Sequence, residues 1–286
     1  MQITTVGDIA LDVVVEVVEV LHSDDDTEAH ISLHPGGQAA NVAAWASALG
    51  ASATVIGPLL DSGASLLLRE ALSSAGVDIV SVGASAPGMV VSMLAAGTRT
   101  MASDAGDQGW LSSVGSDCLP ETAEWLHVSS YPLLRAADPG PIVGLAQHAR
   151  RHQIGLSLDL SSAALIQGYG AQRFRALVAQ LAPEVVFANE LEWTALGVEP
   201  DAAPYVLVLK HGADGVSVWE RGACTGHRAR PTAMVDVTGA GDALAAGYLV
   251  GGIELAMTAA ARCVGQPGAQ PSVVTRRGAP PPSQEN

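Results

Sequence analysis

A chain of 286 residues that is 48% hydrophobic and 15% charged has the apolar material for one large α/β domain or two ordinary ones, and its composition excludes a disordered chain. Its 14 basic and 29 acidic side chains leave a formal charge of −15. Such a surface repels nucleic-acid backbones and anionic lipid, yet a small polyanion can still bind through local donors.

In chain order, residues 3–6 form a short β-rich run ending in Gly7-Asp8, and no basic start with an apolar block marks a signal peptide. Residues 13–20 read as a valine-rich strand, 23–28 as a solvated acidic loop and 31–33 as a short strand before Pro35-Gly36-Gly37. An Ala-rich helix is predicted over 38–49 with Gly50 as its stop, then a strand at 54–56, a helix at 65–74 and a strand at 77–82. Residues 89–95 and 99–101 flank Gly97 as a hairpin.

Beyond residue 105 the rhythm is regular. Strands at 125–129, 155–159, 185–188, 205–210 and 216–220 alternate with helices at 140–151, 171–181 and 242–250. This predicts an α/β fold in three layers, an α/β/α sandwich with a mainly parallel central sheet. Residues 13–34 and 88–104 break the rhythm and predict a small separate β-strand lid on a single domain spanning 1–286. The apolar stretch 243–264 contains Gly247, Gly251, Gly252, Glu254 and Arg262, so it reads as a buried helix plus a turn, not a membrane span. A cytoplasmic location is expected, and the proline-rich tail from Gly278 reads as frayed. The cysteines Cys118, Cys224 and Cys263 lie far apart, and neither a disulfide framework nor a zinc site follows from them.

The segment richest in chemistry is Val235-Asp236-Val237-Thr238-Gly239-Ala240-Gly241-Asp242, ahead of the apolar helix ALAAGYLVG. Small residues at Gly239, Ala240 and Gly241 let backbone N–H groups turn inward at a helix start. Unpaired donors and partial positive charge there suit a phosphoryl group gaining charge. Asp242 is placed to accept the proton of an incoming hydroxyl; a glycine-rich turn with a first-turn acid is the plain alternative. In Pro35-Gly36-Gly37-Gln38-Ala39-Ala40-Asn41, two glycines before a helix permit close ligand approach, and Asn41 offers both donor and acceptor. A turn and helix start would account for the same residues. Asn189 and Glu192 are spaced either to organise magnesium and its waters near nucleotide phosphates or to form a capping box. Asp12 is either an acceptor for two polyol hydroxyls or a solvated loop acid. Lys210 is the sole lysine, so a phosphate site that needs one has a single candidate, and without G-x-x-x-x-G-K-[ST] the Walker route is excluded.

Taken in order, GDIALD, PGGQAANVAAWASALG, Arg99-Thr100, NELE, LKHGADG and DVTGAGD resemble the ribokinase-like (PfkB-type) carbohydrate kinases over nearly the whole chain. The resemblance implies a sandwich with a β lid, ATP and Mg2+, and phosphorylation of a hydroxymethyl group on a sugar or sugar-like molecule. It implies Asp242 as general base with Gly239, Ala240 and Gly241 as the anion hole. Asp12, Gly36, Gly37, Asn41 and Arg99 become substrate contacts, and Asn189, Lys210, Gly212 and Gly215 nucleotide contacts. Glu192 matches a magnesium residue acting through water. Asp236, with Gly268 and Ser272, sits where some members hold a monovalent cation such as K+.

Gly57-Pro58-Leu59-Leu60-Asp61 departs from the family's G-x-x-G-x-D, and residues 193–204 and the C-terminal end are shorter than usual. A nucleoside kinase of adenosine or pseudouridine type is the nearest alternative. Two Phe, four Tyr and five Trp leave Trp110 as the one base-stacking candidate near the lid, which favours a plain sugar. A non-catalytic ligand sensor is a third reading, opposed by the intact Asp242 and its glycine turn. A homodimer through the lid is expected, with 13–20 as an unprotected strand edge.

Overall fold

Residues 3–6 and 185–188 are short runs of β-branched and apolar side chains that are almost wholly buried, as a parallel strand between two helical layers requires. The computed structural model describes residues 1–18, 20, 22–95 and 98–272. The side chain of Arg99 and the tail from Gly278 lie outside the described residues.

The chain opens with β1 (Gln2–Val6), β2 (Ala10–Val17), β3 (Ala29–Gly36) and α1 (Gln38–Ala48). Next come β4 (Ser52–Gly57), α2 (Gly63–Ser74), β5 (Val77–Ser81), β6 (Gly88–Ala95) and β7 (Thr98–Asp104). The middle holds β8 (Trp125–Ser129), α3 (Ser130–Leu133), α4 (Gly140–Arg151), β9 (Gly155–Asp159), α5 (Ala163–Tyr169) and α6 (Ala171–Leu181). Then follow β10 (Val185–Asn189), α7 (Glu190–Leu196), β11 (Val206–Lys210), β12 (Val216–Glu220), β13 (Ala223–His227) and α8 (Ala240–Val264).

Nine strands form the central sheet in the order β13-β12-β11-β10-β9-β8-β1-β4-β5. Every neighbour pair from β11 across to β5 is parallel, and β12 runs antiparallel to both of its neighbours, β11 and β13. Successive strand residues feed opposite cores. Val185 and Phe187 pack with α1, α2 and α8, while Val186 and Ala188 pack with α4, α5, α6 and α7. This is the three-layer sandwich that the strand–helix alternation predicts. Strand order reverses between β1 and β8, and in open α/β sheets the crevice at such a switch point is where ligands bind.

Helix α8 is long and apolar enough to cross a membrane by length and composition, but its alanines are buried in one core with the Ala-rich α1. Gly251 (φ −155°, ψ 23°) and Gly252 (φ 75°, ψ −168°) leave helical geometry. The expected turn is therefore present, and a second helical arm beyond it, not expected, folds back so that Gly247 meets Ala256.

The two segments that break the rhythm pair into a second sheet of order β3-β2-β6-β7. Here the expectation of a free edge at 13–20 fails. Strand β2 is interior, antiparallel to β3 and parallel to β6, so the edges are β3 and β7. A valine run displays its propensity but not the distant partner, β6, that covers it.

Candidate active site

The site lies where β1, β8, β9 and β11 end and where α1 and α8 begin. After β1 the chain turns at Gly7-Asp8, and Asp8 accepts hydrogen bonds from the Gln38 amide (3.1 Å) and the Ser129 hydroxyl (3.2 Å). Gly37, the N-cap of α1, has φ +92°, and a Cβ there would stand 2.5 Å from the Asp8 carbonyl oxygen. That close approach sets the direction of α1 and buries Asn41 one turn in. Gly36 matters for another reason. A Cβ on it would run into the Asp12 carboxylate on β2, so its absence leaves room for that acid.

Gly239 is the N-cap of α8 with φ +76°, and a Cβ would lie 2.6 Å from the Ala269 carbonyl. Asp236 fixes this loop by accepting from the Thr238 amide (2.9 Å), the Thr238 hydroxyl (2.7 Å) and the Gly268 amide (3.1 Å). Asp242 then falls in the first turn of α8 and takes a 2.8 Å hydrogen bond from Asn41 Nδ2. It is 8% exposed. Burial pushes its carboxyl up to about 8; the Asn41 bond and Lys210 oppose the shift, and Asp159 adds to it.

Lys210 closes β11 and reaches Asp159, at the end of β9, at 2.8 Å. Burial presses Lys210 toward deprotonation, but the Asp159 and Glu192 carboxylates outweigh it and hold the ammonium above its ordinary value. A Cβ on Gly241 would stand 3.3 Å from Lys210 Nζ, so this cation lies against the start of α8. Asn189 and Glu192 form a full capping box, with Asn189 N–H donating to Glu192 Oε2 and Glu192 N–H to Asn189 Oδ1, both at 2.8 Å. Both residues also line the cavity beside Lys210. Burial pushes the Glu192 carboxyl up, and Asp159 reinforces the shift.

Two cavities meet at Lys210 and Gly241. One, about 480 Å³, lies beneath the small sheet and contains Asp8, Asp12, Asn41, Asp159 and Asp242 in its wall. The other, about 470 Å³, is an apolar slot between the 212–215 loop and α8, with Val216, Leu244 and Met257 in its wall. Gly212 (φ +60°) opens onto free space, whereas a Cβ at Gly215 would run into the His227 carbonyl. The geometry thus offers a polar chamber and an apolar chamber joined at a helix start.

Sequence reasoning did not single out Asp8 or Asp159. Both were findable as acids ending predicted parallel strands, where open α/β sheets place their ligands. Trp110 is not a base-stacking residue: it is 1% exposed and packed in the core against Gly83. Tyr131 stands in the cavity wall. The Ser272 amide and hydroxyl both donate to Gln266 Oε1, at 3.4 and 3.2 Å. In Gly57-Pro58-Leu59-Leu60-Asp61, Leu59 fills the core and Asp61 faces Arg69 at 3.6 Å, apart from the cavity wall.

A sandwich of this strand order with a second sheet over its strand ends defines a ribokinase-like kinase fold. A probable sugar kinase from Rhizobium etli CFN 42 superposes with a TM-score of 0.80 at 19% identity, over 95% of each chain. The model of the pfkB family carbohydrate kinases matches residues 2–276, and the chain belongs to this family of ATP-dependent sugar kinases. It is 28% identical to an ATP-dependent ribose-1-phosphate kinase from Halopiger xanaduensis, over 92% of this chain and 90% of that one. It is 30% identical to a fructokinase from Escherichia coli over 76% of each chain.

Proposed function

We propose that the enzyme transfers the γ-phosphoryl group of ATP to a hydroxymethyl group of a sugar or sugar-like molecule, with Asp242 as general base. The supporting observation is the position of Asp242: buried at the start of α8, held by Asn41, in the wall of the polar chamber and next to the residue shared with the apolar one. ATP would lay its base in the apolar slot beside Gly212 and Gly215 and point its phosphates at residues 239–241. The acceptor would lie with Asp12, Gly36, Gly37 and Asn41 beneath the lid. Its attacking oxygen forms a bond to the γ-phosphorus and gives its proton to Asp242. The bond to the bridging oxygen breaks, and its electron pair leaves with ADP. The amides of Gly239, Ala240 and Gly241 and the ammonium of Lys210 meet the charge gathering on the transferred group. Closure of the small sheet would keep out water, the competing acceptor.

Among the described residues, no three His, Cys, Asp or Glu side chains group closely enough to cage a metal. That fits Mg2+, which keeps its waters and binds through nucleotide oxygens, with Glu192 beside Asn189 holding it through water. When bound, Mg2+ would neutralise charge on the nucleotide phosphates. K+ at Asp236 fits less well: both carboxylate oxygens already accept main-chain N–H groups. An ATP-consuming kinase of this kind would act in the cytoplasm.

Asp242→Asn is the direct test. ATP binding by titration should stay within a few-fold, while turnover should drop about 10²- to 10⁴-fold. Turnover at the wild-type level in this variant would remove Asp242 from the chemistry. ADP release measured with ribose, fructose, ribose 1-phosphate, adenosine and pseudouridine would identify the acceptor, and adenosine as the best substrate would replace the sugar reading with the nucleoside one.

A further inference from the structure

Helix α1 meets the core through small side chains: Ala39, Ala40, Ala43, Ala44 and Ala46 are fully buried. Trp45 breaks that pattern. It too is fully buried, and the Arg262 guanidinium stands 5.5 Å from its ring centre. Its indole Nε1 donates a 2.8 Å hydrogen bond to the Ala269 carbonyl. A buried indole needs a partner for its N–H, and the partner here belongs to the support of the candidate site.

Ala269 is the residue against which the glycine turn rests. A Cβ on Gly239 would lie 2.6 Å from the Ala269 carbonyl oxygen and 2.7 Å from its Cα, so the backbone at 269 limits how the start of α8 can sit. The two segments are also tied to each other. The Gly268 amide donates to Asp236 (3.1 Å), whose other carboxylate oxygen accepts from the Thr238 amide (2.9 Å). The Cys263 thiol donates to the Thr238 carbonyl at 3.3 Å. A second tie comes from α1 itself. Asn41 lies four residues before Trp45, on the same face of the helix, and gives its Nδ2 hydrogen to Asp242. One helix therefore holds the start of α8 at two points, the carboxylate through Asn41 and the backing of the turn through Trp45.

Packing alone does not call for this arrangement. An apolar ring would fill the space, but only an N–H fixes the direction of a carbonyl. We propose that Trp45 is a positioning residue for phosphoryl transfer: through Ala269 it holds the amides of residues 239–241 at a set distance from the Asp242 carboxylate. The proposal rests on the kinase reading above. Trp45 lies outside both cavity walls, so its effect falls on turnover and not on binding. Misplacing donors and base by a fraction of an ångström costs rate even where ligands still bind.

Two replacements test this. Trp45→Phe keeps an aromatic ring and loses the donor; the benzothiophene analogue of tryptophan, incorporated at position 45 alone, keeps the shape and puts sulfur in place of N–H. Assays use MgATP and the acceptor of the panel above that releases most ADP. Both replacements should lower kcat about 10- to 100-fold, while KM for the acceptor and the calorimetric Kd for ATP stay within about 3-fold. Leu72→Ala, a core truncation on α2, is the control: it should lower Tm yet leave kcat within about 2-fold. Should Trp45→Phe fail to fold, the analogue alone decides. Wild-type kcat with the analogue overturns the proposal, as does a loss carried wholly by KM. A Leu72→Ala enzyme that loses as much kcat as the position-45 replacements also overturns it, because the effect is then one of stability. A wild-type protein that releases no ADP with any acceptor of the panel overturns the kinase reading itself, and this proposal with it.

Discussion

Asp242 must be both buried and ionised. In the unfolded chain its carboxyl has the ordinary value of 3.8; in the folded protein burial pushes it up to about 8. The base form alone accepts a proton, so kcat/KM is expected to rise with pH through about 8 and level above it, measured from about pH 6 to about pH 9.5. A profile flat across that range would contradict the assignment. The same shift has a stability consequence of opposite sense. A raised folded value means the native state holds the proton more tightly, so the stabilisation is complete below 3.8 and is lost as pH rises through about 8. Asp242→Asn removes the titration while keeping the shape. Its Tm should exceed that of the wild type by a margin that widens between these two values and then stays constant; equal margins near pH 5 and pH 8.5 would refute this account.

Lys210 and Asp159 form a buried pair, 16% and 4% exposed. Lys210→Met leaves the carboxylate without its partner and should cost about 3–5 kcal/mol in urea unfolding. Adding Asp159→Asn to that variant should recover much of the loss, because an uncompensated buried charge costs more than a missing pair. A double variant less stable than Lys210→Met would contradict this.

At the scale of elements, the sites of chemistry are helix starts whose geometry depends on particular glycines. Gly239 has positive φ and a backbone carbonyl 2.6 Å from its missing Cβ, whereas Gly212 has positive φ and open space. Gly212→Ala should therefore cost about 1–2 kcal/mol from backbone strain alone, and Gly239→Ala distinctly more, since the Ala269 loop must also move. Chemical denaturation of both variants measures the order, and the reverse order would contradict the close approach. Much at this scale is visible in the chain itself. The Asn189–Glu192 spacing announces a capping box, and that box starts α7. Helix α5 and strand β13 were not legible. Seven residues of α5 carry too little periodicity, and they are held by packing against α7.

For the whole molecule, the small sheet has two unlike faces. Asp12, Val14 and Glu16 point into the chamber, so the alternation of β2 turns Val13 and Val15 to the other side, in register with Leu33 and Ile31 on β3 and Val91 and Met93 on β6. Ile31 is 67% and Leu33 52% exposed. A homodimer through the lid remains our expectation, now across this apolar face instead of along a β2 edge. Light scattering should give twice the mass of one chain, and Ile31→Glu with Leu33→Glu should halve it. A wild-type protein that is monomeric at tens of micromolar would end the expectation.

The sequence by itself determined whatever depends on neighbours along the chain: the alternation that makes a parallel sheet, the glycine turn at 239–241 with Asp242 behind it, and the cap at Asn189. These follow from short-range periodicity and backbone stereochemistry. Only the tertiary structure decided what depends on which strand ends come together. Asn41 meets Asp242 across 201 positions, and Lys210 meets Asp159 across 51. β2 becomes an interior strand, and Trp110 goes to the core instead of the cavity. Strand order is a property of the folded sheet, and its reversal between β1 and β8 is what gathers these distant side chains at one end.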